Sequence, residues 1–445
     1  MTPPRRRGFV FGIHVKKKFF ILSVSIGLVS GLRAQPGNGN DVLTVRSIRI
    51  EGNETTKEFV IRREMSTKQG DTLVAERIEY DKNRIYSLGL FNRVEIDYTI
   101  DGNAADLLVR VHERWYLYPF PILGIKYRDF DNVYYGVGVI HNNFRGRNER
   151  LIFSMAFGFD RWVQLTYRNP KLTADDDISL GISFSSATVQ NLSPDRGFYQ
   201  QSTQSFLIST GKRFGFHSVA QLSGGYEVWD VSDEIAGGTL TPGGRDEFFS
   251  VSANYAYDSR DVREYPTEGS FHSLVAAKYG FGGSAVDFFR YGYESQVFLP
   301  VHTEITLAGR TFGQFSSGGA IPAYRYVYFG YRDRIRGYFR RVLEGENIVG
   351  GTVEVHVPIL SPRYYEFPYS PLPEFSVWRY GLYAAVFADA GKTWFRGEGY
   401  GGRHWYSGFG GGLHFLLPYS VVARVEYAWN PHGVGEIVLD LGMSF

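Results

Sequence analysis

The stretch SVVARVEYAW, residues 420–429, alternates along its length with a period of two residues. One face carries Val421, Ala423, Val425, Tyr427 and Trp429, and the other carries Arg424 and Glu426. This alternation is typical of a membrane β-barrel strand, with apolar residues outside, polar or small residues inside, and aromatic residues near the ends. The stretch ERLIFSMAFGF, residues 149–159, alternates in the same way and indicates a second strand of this kind.

Sixteen such strands can be counted between Trp115 and Phe445. They are predicted at 116–126, 132–141, 150–158, 161–168, 177–185, 203–212, 217–229, 247–258, 270–279, 287–299, 303–314, 348–357, 380–389, 405–415, 420–428 and 436–445. An even strand number and lengths of about 9–11 residues suit a bacterial barrel. The fold class is therefore predicted as mainly β, a sixteen-stranded antiparallel transmembrane barrel over residues 115–445, with the Pro-rich stretch 358–379 as an inner connection.

Residues 43–114 have a different sequence pattern, which predicts a small domain with the order β-α-α-β-β. An alternating strand is followed by a helix with a Thr cap at Thr55 or Thr56 and by a second helix capped at Asp71 or Thr72. Two strands joined by a DGN turn complete the domain. We expect the strand at 43–50 or the one at 105–112 to offer an edge to which an extended polypeptide segment can add.

The N-terminus, residues 1–34, reads as a secretory signal peptide with a positive region followed by an apolar core. A short membrane anchor is the alternative interpretation. Residues 1–34 carry seven Lys and Arg and no acidic residue, so the remainder has 41 basic and 46 acidic residues. That balance does not favour nucleic-acid binding. The chain has no cysteine, which excludes disulfides, thiolate metal sites and thiol catalysis.

Four stretches resemble one family, the POTRA-plus-barrel superfamily of BamA, TamA and the FhaC secretion pores. They are RSIRIEGNETTKEFVIRREM with YSLGLFNRVEI (46–65 and 86–96), YDSRDVREYPTEGSF (257–271), IRGY (335–338) and AVFADAGKTW (385–394). The resemblance covers nearly all of the chain after the N-terminal stretch and implies one POTRA domain where the best-known members have several. It also implies a bacterial outer-membrane location, with the POTRA domain in the periplasm.

The resemblance implies that the long connection 315–347 folds back into the barrel lumen. The loop motif is Ile335, Arg336, Gly337 and Tyr338. A buried arginine needs a carboxylate partner because an unpaired buried charge is very costly. Glu354 and Asp389 match the acidic positions of the family, so we expect Arg336 to bridge both, Gly337 to allow the tight backbone, and Tyr338 to pack against the wall. The neighbouring arginines at 332, 334, 340 and 341 fit solvated loop charge or contacts with anionic outer-leaflet sugars.

The seam, where the first and last barrel strands meet, is predicted to be weakly bonded. Pro119 and Pro121 lack N–H donors, and Gly124 and Gly442 weaken strand pairing. In the family such a seam opens sideways and accepts a client strand. Alternatively, the two prolines only end the linker from the small domain. The C-terminal residues Leu441, Met443 and Phe445 resemble the signal by which outer-membrane barrels are themselves recognised.

The remaining motifs predict no chemistry. The glycines of GFGGGLHF, residues 408–415, lie in a predicted strand, where they relieve crowding or bend the wall. The histidines are scattered, and His404 and His414 are too far apart along one strand to chelate, so no metal site, catalytic residue or cofactor is predicted. No Ser-His-acid arrangement is apparent, and the chain is not expected to be an enzyme.

The predicted function is assembly and insertion of outer-membrane proteins through a laterally opening seam. Two alternatives remain: a two-partner polypeptide secretion pore, and a passive porin or structural barrel. The expected partners are outer-membrane lipid and lipopolysaccharide, unfolded outer-membrane protein clients, and periplasmic or lipoprotein partners, with no nucleic acid.

Overall fold

The computed structural model describes residues 43–125, 130–173, 176–193, 195–197, 199–232, 235, 237–302, 304–338, 341–370 and 372–442. The predicted signal peptide, Met443, Phe445 and Arg340 lie outside the described residues. The N-terminal domain, residues 43–114, has the predicted order β-α-α-β-β. Its elements are β1 (Thr44–Glu51), α1 (Glu58–Arg62), α2 (Ala75–Tyr86), β2 (Phe91–Asp101) and β3 (Ala104–Glu113).

Both helices begin differently from the prediction. The residue before α1 is Lys57 and the residue before α2 is Val74, and neither caps its helix with a side chain. Thr56 is used elsewhere, because its N–H donates to Glu113 Oε1 at 2.6 Å. The predicted Thr and Asp caps are therefore wrong. Helix α1 is only five residues long, so its stability comes from burial of Val60 and Ile61 rather than from helix propensity.

The three-stranded sheet of this domain has the order β1-β3-β2, with β1 parallel to β3 and β2 antiparallel to it. Strand β3 is central, so the expectation of a free edge at 105–112 is wrong and the free edges belong to β1 and β2. The core between the sheet and α2 is built from Val60, Ile61, Met65, Ile85, Tyr86, Leu90, Phe91, Val94, Val109 and Val111.

The rest of the chain forms one sixteen-stranded antiparallel sheet, which confirms the predicted fold class. Its strands are β4 (Leu117–Ile125), β5 (Val133–Phe144), β6 (Glu149–Gly158), β7 (Arg161–Asn169), β8 (Ile178–Gln190), β9 (Gln200–Phe214), β10 (Ser218–Val231), β11 (Arg245–Asp258), β12 (Gly269–Tyr279), β13 (Phe288–His302), β14 (Ile305–Gly318), β17 (Asn347–Glu366), β18 (Val377–Trp394), β19 (Tyr406–Leu417), β20 (Val421–Trp429) and β21 (Gly435–Gly442). Two short strands, β15 (Val327–Phe329) and β16 (Leu343–Gly345), pair with each other inside the long loop.

Each strand pairs with its neighbour along the chain, and β14 pairs with β17 across the long loop. Most of the predicted 358–379 connection is strand, since β17 runs 20 residues and β18 runs 18. The two faces differ sharply. On β18, Val386 on the outer face is 59% exposed, whereas the inner Ala385 and Phe387 are 3% and 5% exposed. The inner side chains of β18 are thus covered by other residues inside the barrel.

No helix among the described residues has the length and apolar character to cross a membrane.

Candidate functional site

The connection between β14 and β17 packs against the inner wall of the barrel. Its short ribbon β15–β16 and the residues between them form an apolar cluster with the wall strands. The buried members of this cluster are Phe312, Val327, Phe329, Ile335, Leu343 and Ile348. This contact carries Ile335 of the loop motif into the interior, 2% exposed, and fixes the place where the next residue, Arg336, enters the barrel.

Arg336 reaches three carboxylates on three different strands. Its guanidinium lies 2.7 Å from Glu354 on β17 and donates to Asp389 on β18 through Nε and Nη2 at 2.8 and 2.7 Å. Its Nη1 donates to Glu426 on β20 at 2.8 Å. The backbone N–H of Arg336 also donates to Asp389 at 2.9 Å. The structure therefore brings together the three predicted residues and a third acid, Glu426, that the prediction lacked. We call these four residues the loop anchor.

The loop anchor is almost fully removed from solvent. The side chain of Arg336 is 13% exposed, and those of Asp389 and Glu426 are 2% exposed. The guanidinium also lies over the Phe387 ring, 3.4 Å from its centroid, an arrangement in which the ring face attracts the cation. Because each desolvated charge has a bonded partner of opposite sign, the desolvation penalty of the arginine is offset.

Two glycines make room for the loop. Gly337 has φ +95°, and its N–H donates to Glu436 on β21 at 2.8 Å while its carbonyl accepts from Asn430 Nδ2 at 3.0 Å. On β19, a Cβ at Gly408 would lie 1.6 Å from the carbonyl oxygen of Arg336. The strand glycine thus permits close approach of the loop backbone, which agrees with the expectation that glycines of 408–415 relieve crowding.

Tyr338 and the described arginines near it are less buried than Ile335. Tyr338 packs edge-on against Tyr406 at 5.1 Å between ring centroids, as expected for contact with the wall. Arg332 and Arg334 are exposed. Arg341 is also exposed and lies over the Tyr406 ring at 5.1 Å. These arginines remain candidates for solvated charge or for contacts with anionic sugars.

Behind the loop anchor lies a second layer of buried polar side chains. His356 Nε2 is 2.7 Å from Glu354 Oε2, and His414 Nε2 is 3.1 Å from Glu426 Oε1. The hydroxyl of Tyr265, from the β11–β12 connection, lies 2.9 Å from His414 Nδ1. The sequence prediction compared His414 only with His404, which precedes β19 and lies outside it, and so His414 was not assigned to a site. The available signal was its inward position opposite Arg424, next to a strand that carries Glu426.

The seam lies between β4 and β21, the two ends of the sixteen-stranded sheet. Each of these strands is paired on one side only, with β5 and β20 respectively, and no ladder joins them within the described residues. Their outer faces are exposed, with Leu123 at 76% and Leu441 at 75%. Proline in a sheet is confined to edge strands, strand starts or bulges, and Pro119 and Pro121 lie within the edge strand β4.

The two seam glycines differ in their surroundings. Gly124 pairs with Tyr134 of β5, and a Cβ there would lie 2.1 Å from the Tyr134 ring. Its absent side chain therefore accommodates an aromatic ring, a role independent of the seam. Gly442 pairs with Val422 in the β20–β21 ladder, and nothing lies within 4 Å of a Cβ placed on it. Gly442 thus has no packing requirement among the described residues.

The N-terminal domain is bonded to the short connections at one end of the barrel. On one side of the seam, Asn143 Nδ2 donates to Thr56 Oγ1 at 2.9 Å, and on the other Arg114 donates to Ser420 Oγ at 3.1 Å. Val262, from the β11–β12 connection, is part of the hydrophobic core of the N-terminal domain. The domain therefore spans the end of the barrel and holds both sides of the seam.

A buried carboxylate, Glu64, forms a charged contact between the N-terminal domain and the barrel. It accepts two hydrogen bonds from Arg213 of β9, at 2.6 and 2.9 Å, and pairs with Arg84 of α2. Burial alone would raise the pKa of Glu64, but the hydrogen bonds and charges of Arg213 and Arg84 lower it to about 2. Sequence analysis missed this contact, since neither Glu64 nor Arg213 belongs to a motif.

Comparison with known proteins agrees with this architecture. Residues 143–445 match the family described as the Omp85 superfamily domain, and residues 43–114 match the POTRA family described as a surface antigen variable number repeat. The outer membrane protein assembly factor BamA of Nitratidesulfovibrio vulgaris is 24% identical over 310 residues, which cover 67% of this chain and 38% of that relative. This chain therefore spans less than half the length of that curated relative.

Two solved structures share the fold. BamA from Haemophilus ducreyi lacking POTRA domains 1–3 superposes with a TM-score of 0.53 at 18% identity, covering 90% of this chain and 83% of that one. CdiB from Escherichia coli gives a TM-score of 0.55 at 13% identity, covering 90% of this chain and 75% of that one. At these identities the likeness describes the fold alone.

Proposed function

The chain belongs to the Omp85 superfamily of outer-membrane barrels, and from this premise we propose that it inserts other barrel proteins into the outer membrane through the seam between β4 and β21. The barrel lies in the outer membrane with its POTRA domain in the periplasm, and members of this family are non-enzymatic assembly and transport barrels. The finer assignment, insertion of unfolded outer-membrane protein clients, is our proposal.

The observation that carries the proposal is the pair of strand edges at the seam. Within the described residues, β4 and β21 each pair with one neighbour. Strand β21 therefore has backbone N–H and C=O groups available on its other side, whereas β4 lacks the N–H groups of Pro119 and Pro121. An open strand edge is a template for pairing with another chain, and an extended client segment can add to it as a strand. The exposed apolar side chains of the two edge strands, such as Leu123 and Leu441, suit a client strand whose final environment is lipid.

The N-terminal domain supports a route for the client to the seam. The start of β1 is bonded on its other side to residues 70–73 through Thr44 and Val45. Beyond Val45, the described residues give β1 a ladder with β3 alone, so residues 46–51 offer an edge in the periplasm to an extended segment. The same domain is bonded to both sides of the seam through Asn143 and Ser420. A client held at β1 would thus be delivered by a domain that also controls how far the two seam strands separate. Photo-crosslinkers along residues 46–51 should capture client, and capture only along α2 would contradict this route.

A cavity of about 1040 Å³ with a mixed polar and apolar lining favours the second candidate, a polypeptide secretion pore. It lies between the N-terminal domain and the wall, and its lining includes Arg150, Gln164 and Arg168. A secreted chain would pass through the lumen and would not need the seam. A passive porin would use the same space for ions, and ion conductance without any effect on a client would favour it.

Closing the seam covalently tests the proposal. The native chain has no cysteine, so an engineered pair is free of competing thiols. A cysteine at Ile122 and a second one at Asp440 or Gly442 lie on the inner faces of the two seam strands, and crosslinking requires Cα atoms within about 4.4–6.8 Å. We expect the oxidised protein to stop assembling outer-membrane proteins in cells that depend on it, and reductant to restore assembly.

A matched control places the disulfide away from the seam. Ala423 and Leu441 face each other in the β20–β21 ladder, so a disulfide between cysteines at these positions joins strands that are already paired. This variant should retain assembly under the same oxidation. If the seam-crosslinked protein supports its clients as fully as this control, insertion through the seam is wrong and the lumenal pore takes its place.

A further inference from the structure

Glu354, His356 and His414 converge on one buried point of the inner wall. One donor atom from each lies within 4.8 Å of the others, and all three residues are buried. Glu354 and His356 come from β17 and His414 from β19, so the group is assembled by the sheet rather than by local spacing. Glu426 of the loop anchor adjoins it, with its Oε1 3.1 Å from His414 Nε2.

The spacing is wider than that of an occupied metal-ion site but within reach of one. Bonds from zinc to histidine nitrogen or carboxylate oxygen are about 2.0–2.2 Å, so donors at the corners of a tetrahedral site lie about 3.3–3.6 Å apart. The three donor atoms lie within 4.8 Å of one another, so ion binding would draw the widest pair together by up to about 1.2–1.5 Å through side-chain rotation. Imidazole and carboxylate donors together suit zinc.

Charge gives an independent reason for a cation. Glu354, Asp389 and Glu426 place three negative charges in the interior, and the loop anchor supplies one positive charge, Arg336. Arg424 of β20 lies opposite His414, is paired with Asp440 at 3.3 Å and also acts on Glu354 through its charge. The three carboxylates therefore exceed the two guanidinium groups by one negative charge, which is costly in a desolvated site. A bound cation would offset this excess.

The ring nitrogens that face the carboxylates are the candidate ligand atoms. His356 Nε2 is 2.7 Å from Glu354 Oε2, and His414 Nε2 is 3.1 Å from Glu426 Oε1. Because the two nitrogens of an imidazole point in different directions, an ion shared with these carboxylates would bind Nε2 of each ring. Tyr265, hydrogen-bonded to His414 Nδ1, would orient the second ring, as partners of metal-binding histidines usually do.

We propose that Glu354, His356 and His414 form a binding site for a divalent transition-metal ion of the zinc type, with Glu426 available as the fourth ligand. The ion would share Glu354 and Glu426 with Arg336 and so stabilise the loop anchor. The site follows from the geometry and charge of the barrel wall and does not depend on which client the barrel serves.

The first test is metal content. The full chain, purified without a polyhistidine tag and stripped with chelator, is dialysed against zinc and measured by mass spectrometry for bound metal. We expect one zinc per chain and at least tenfold weaker binding in both His356→Ala and His414→Ala. The control His272→Ala removes an exposed histidine of β12 and should bind as the parent does.

Zinc binding that is unchanged in both variants, or absent from the parent, overturns the proposal. If a variant fails to fold, the parent loaded with cobalt decides. Intense visible absorption bands of a four-coordinate ion support the site, and the weak bands of a hydrated six-coordinate ion overturn it. Removing zinc with chelator should also lower the temperature at which the folded barrel unfolds on a gel, by the same amount in the parent and in His272→Ala.

Discussion

The loop anchor and the seam lie close together on the barrel, yet they are bonded in opposite ways. Arg336 is tied to three strands by charged hydrogen bonds, while β4 and β21 share no ladder within the described residues. The two regions are linked through Gly337, whose N–H donates to Glu436 on β21. One edge of the seam, β21, is therefore supported from inside by the loop. The other edge, β4, lies beside β5, whose Asn143 is bonded to Thr56 of the N-terminal domain.

Arg336→Ala should have the largest effect of the substitutions considered, because it removes the cation of the loop anchor. Removing one member of a buried charge set costs about 3–5 kcal/mol, because the carboxylates are left without their cation. We expect the folded barrel to unfold at a clearly lower temperature in a gel-shift assay. Arg332→Ala, an exposed arginine of the same loop, is the control. Equal unfolding temperatures for the two variants would contradict the loop anchor as the source of stability.

Glu64→Gln tests how firmly the N-terminal domain, which is bonded to the β4 side of the seam through Asn143, docks on the barrel at β9. The substitution keeps the size of the side chain but leaves Arg213 and Arg84 without a charge partner, and hydrogen bonds to charged groups contribute about 1.5–3 kcal/mol. We expect protease to release the N-terminal domain faster than in the parent. Glu58→Gln, an exposed residue of α1 whose ion pair is with Arg62, should behave as the parent. Equal cleavage of both variants would count against a role of Glu64 in docking.

Two glycine-to-alanine substitutions compare how tightly the loop anchor and the seam are packed, since each adds one methyl group. Gly408→Ala places a Cβ against the backbone oxygen of Arg336, and overpacking of this kind costs about 1–3 kcal/mol. Gly442→Ala at the seam meets open space and should leave thermal unfolding unchanged. A result in which Gly442→Ala destabilises as much as Gly408→Ala would mean that the seam is packed as tightly as the loop anchor.

Acidification should give the smallest effect. The folded-state pKa of Glu64 is about 2, below its usual value of 4.5, so its contribution is complete above pH 4.5 and is lost as the pH falls towards 2. The loss is about 0.4 kcal/mol at pH 4.5 and about 1.4 kcal/mol by pH 3.5. We expect the protease release of the N-terminal domain to accelerate over this range in the parent, and Glu64→Gln to show a flatter pH dependence. Identical pH profiles would assign the acid sensitivity to other groups.

Much of the fold could be predicted from the sequence because strand alternation in a barrel is a local signal. The apolar face of 421–429 is visible in nine residues, and it has the same meaning wherever the strand lies. Helix starts in the N-terminal domain could not be predicted as well. Thr56 looks like a cap, but contact with Glu113 and Asn143 takes its polar groups, and such tertiary contacts are not visible locally.

The loop anchor was predicted in part for the same reason. Arg336, Glu354 and Asp389 belong to motifs that a resemblance can identify, whereas Glu426 and His414 become neighbours only when β19 and β20 pair in one particular register. The contact of Glu64 with Arg213 joins residues 149 positions apart, and no pattern along the chain marks it. Motifs therefore indicated part of the site, and sheet register supplied the rest.

The position of Val262 has a consequence for modularity. This residue of a barrel turn completes the hydrophobic core of the N-terminal domain, so that domain is not a self-contained building block. A fragment ending at Glu113 would expose the apolar surface that Val262 covers, and a chimaera that joins this domain to a foreign barrel would inherit the same defect unless the β11–β12 turn travelled with it. Recombination between relatives should therefore keep the N-terminal domain and the β11–β12 turn together as one unit.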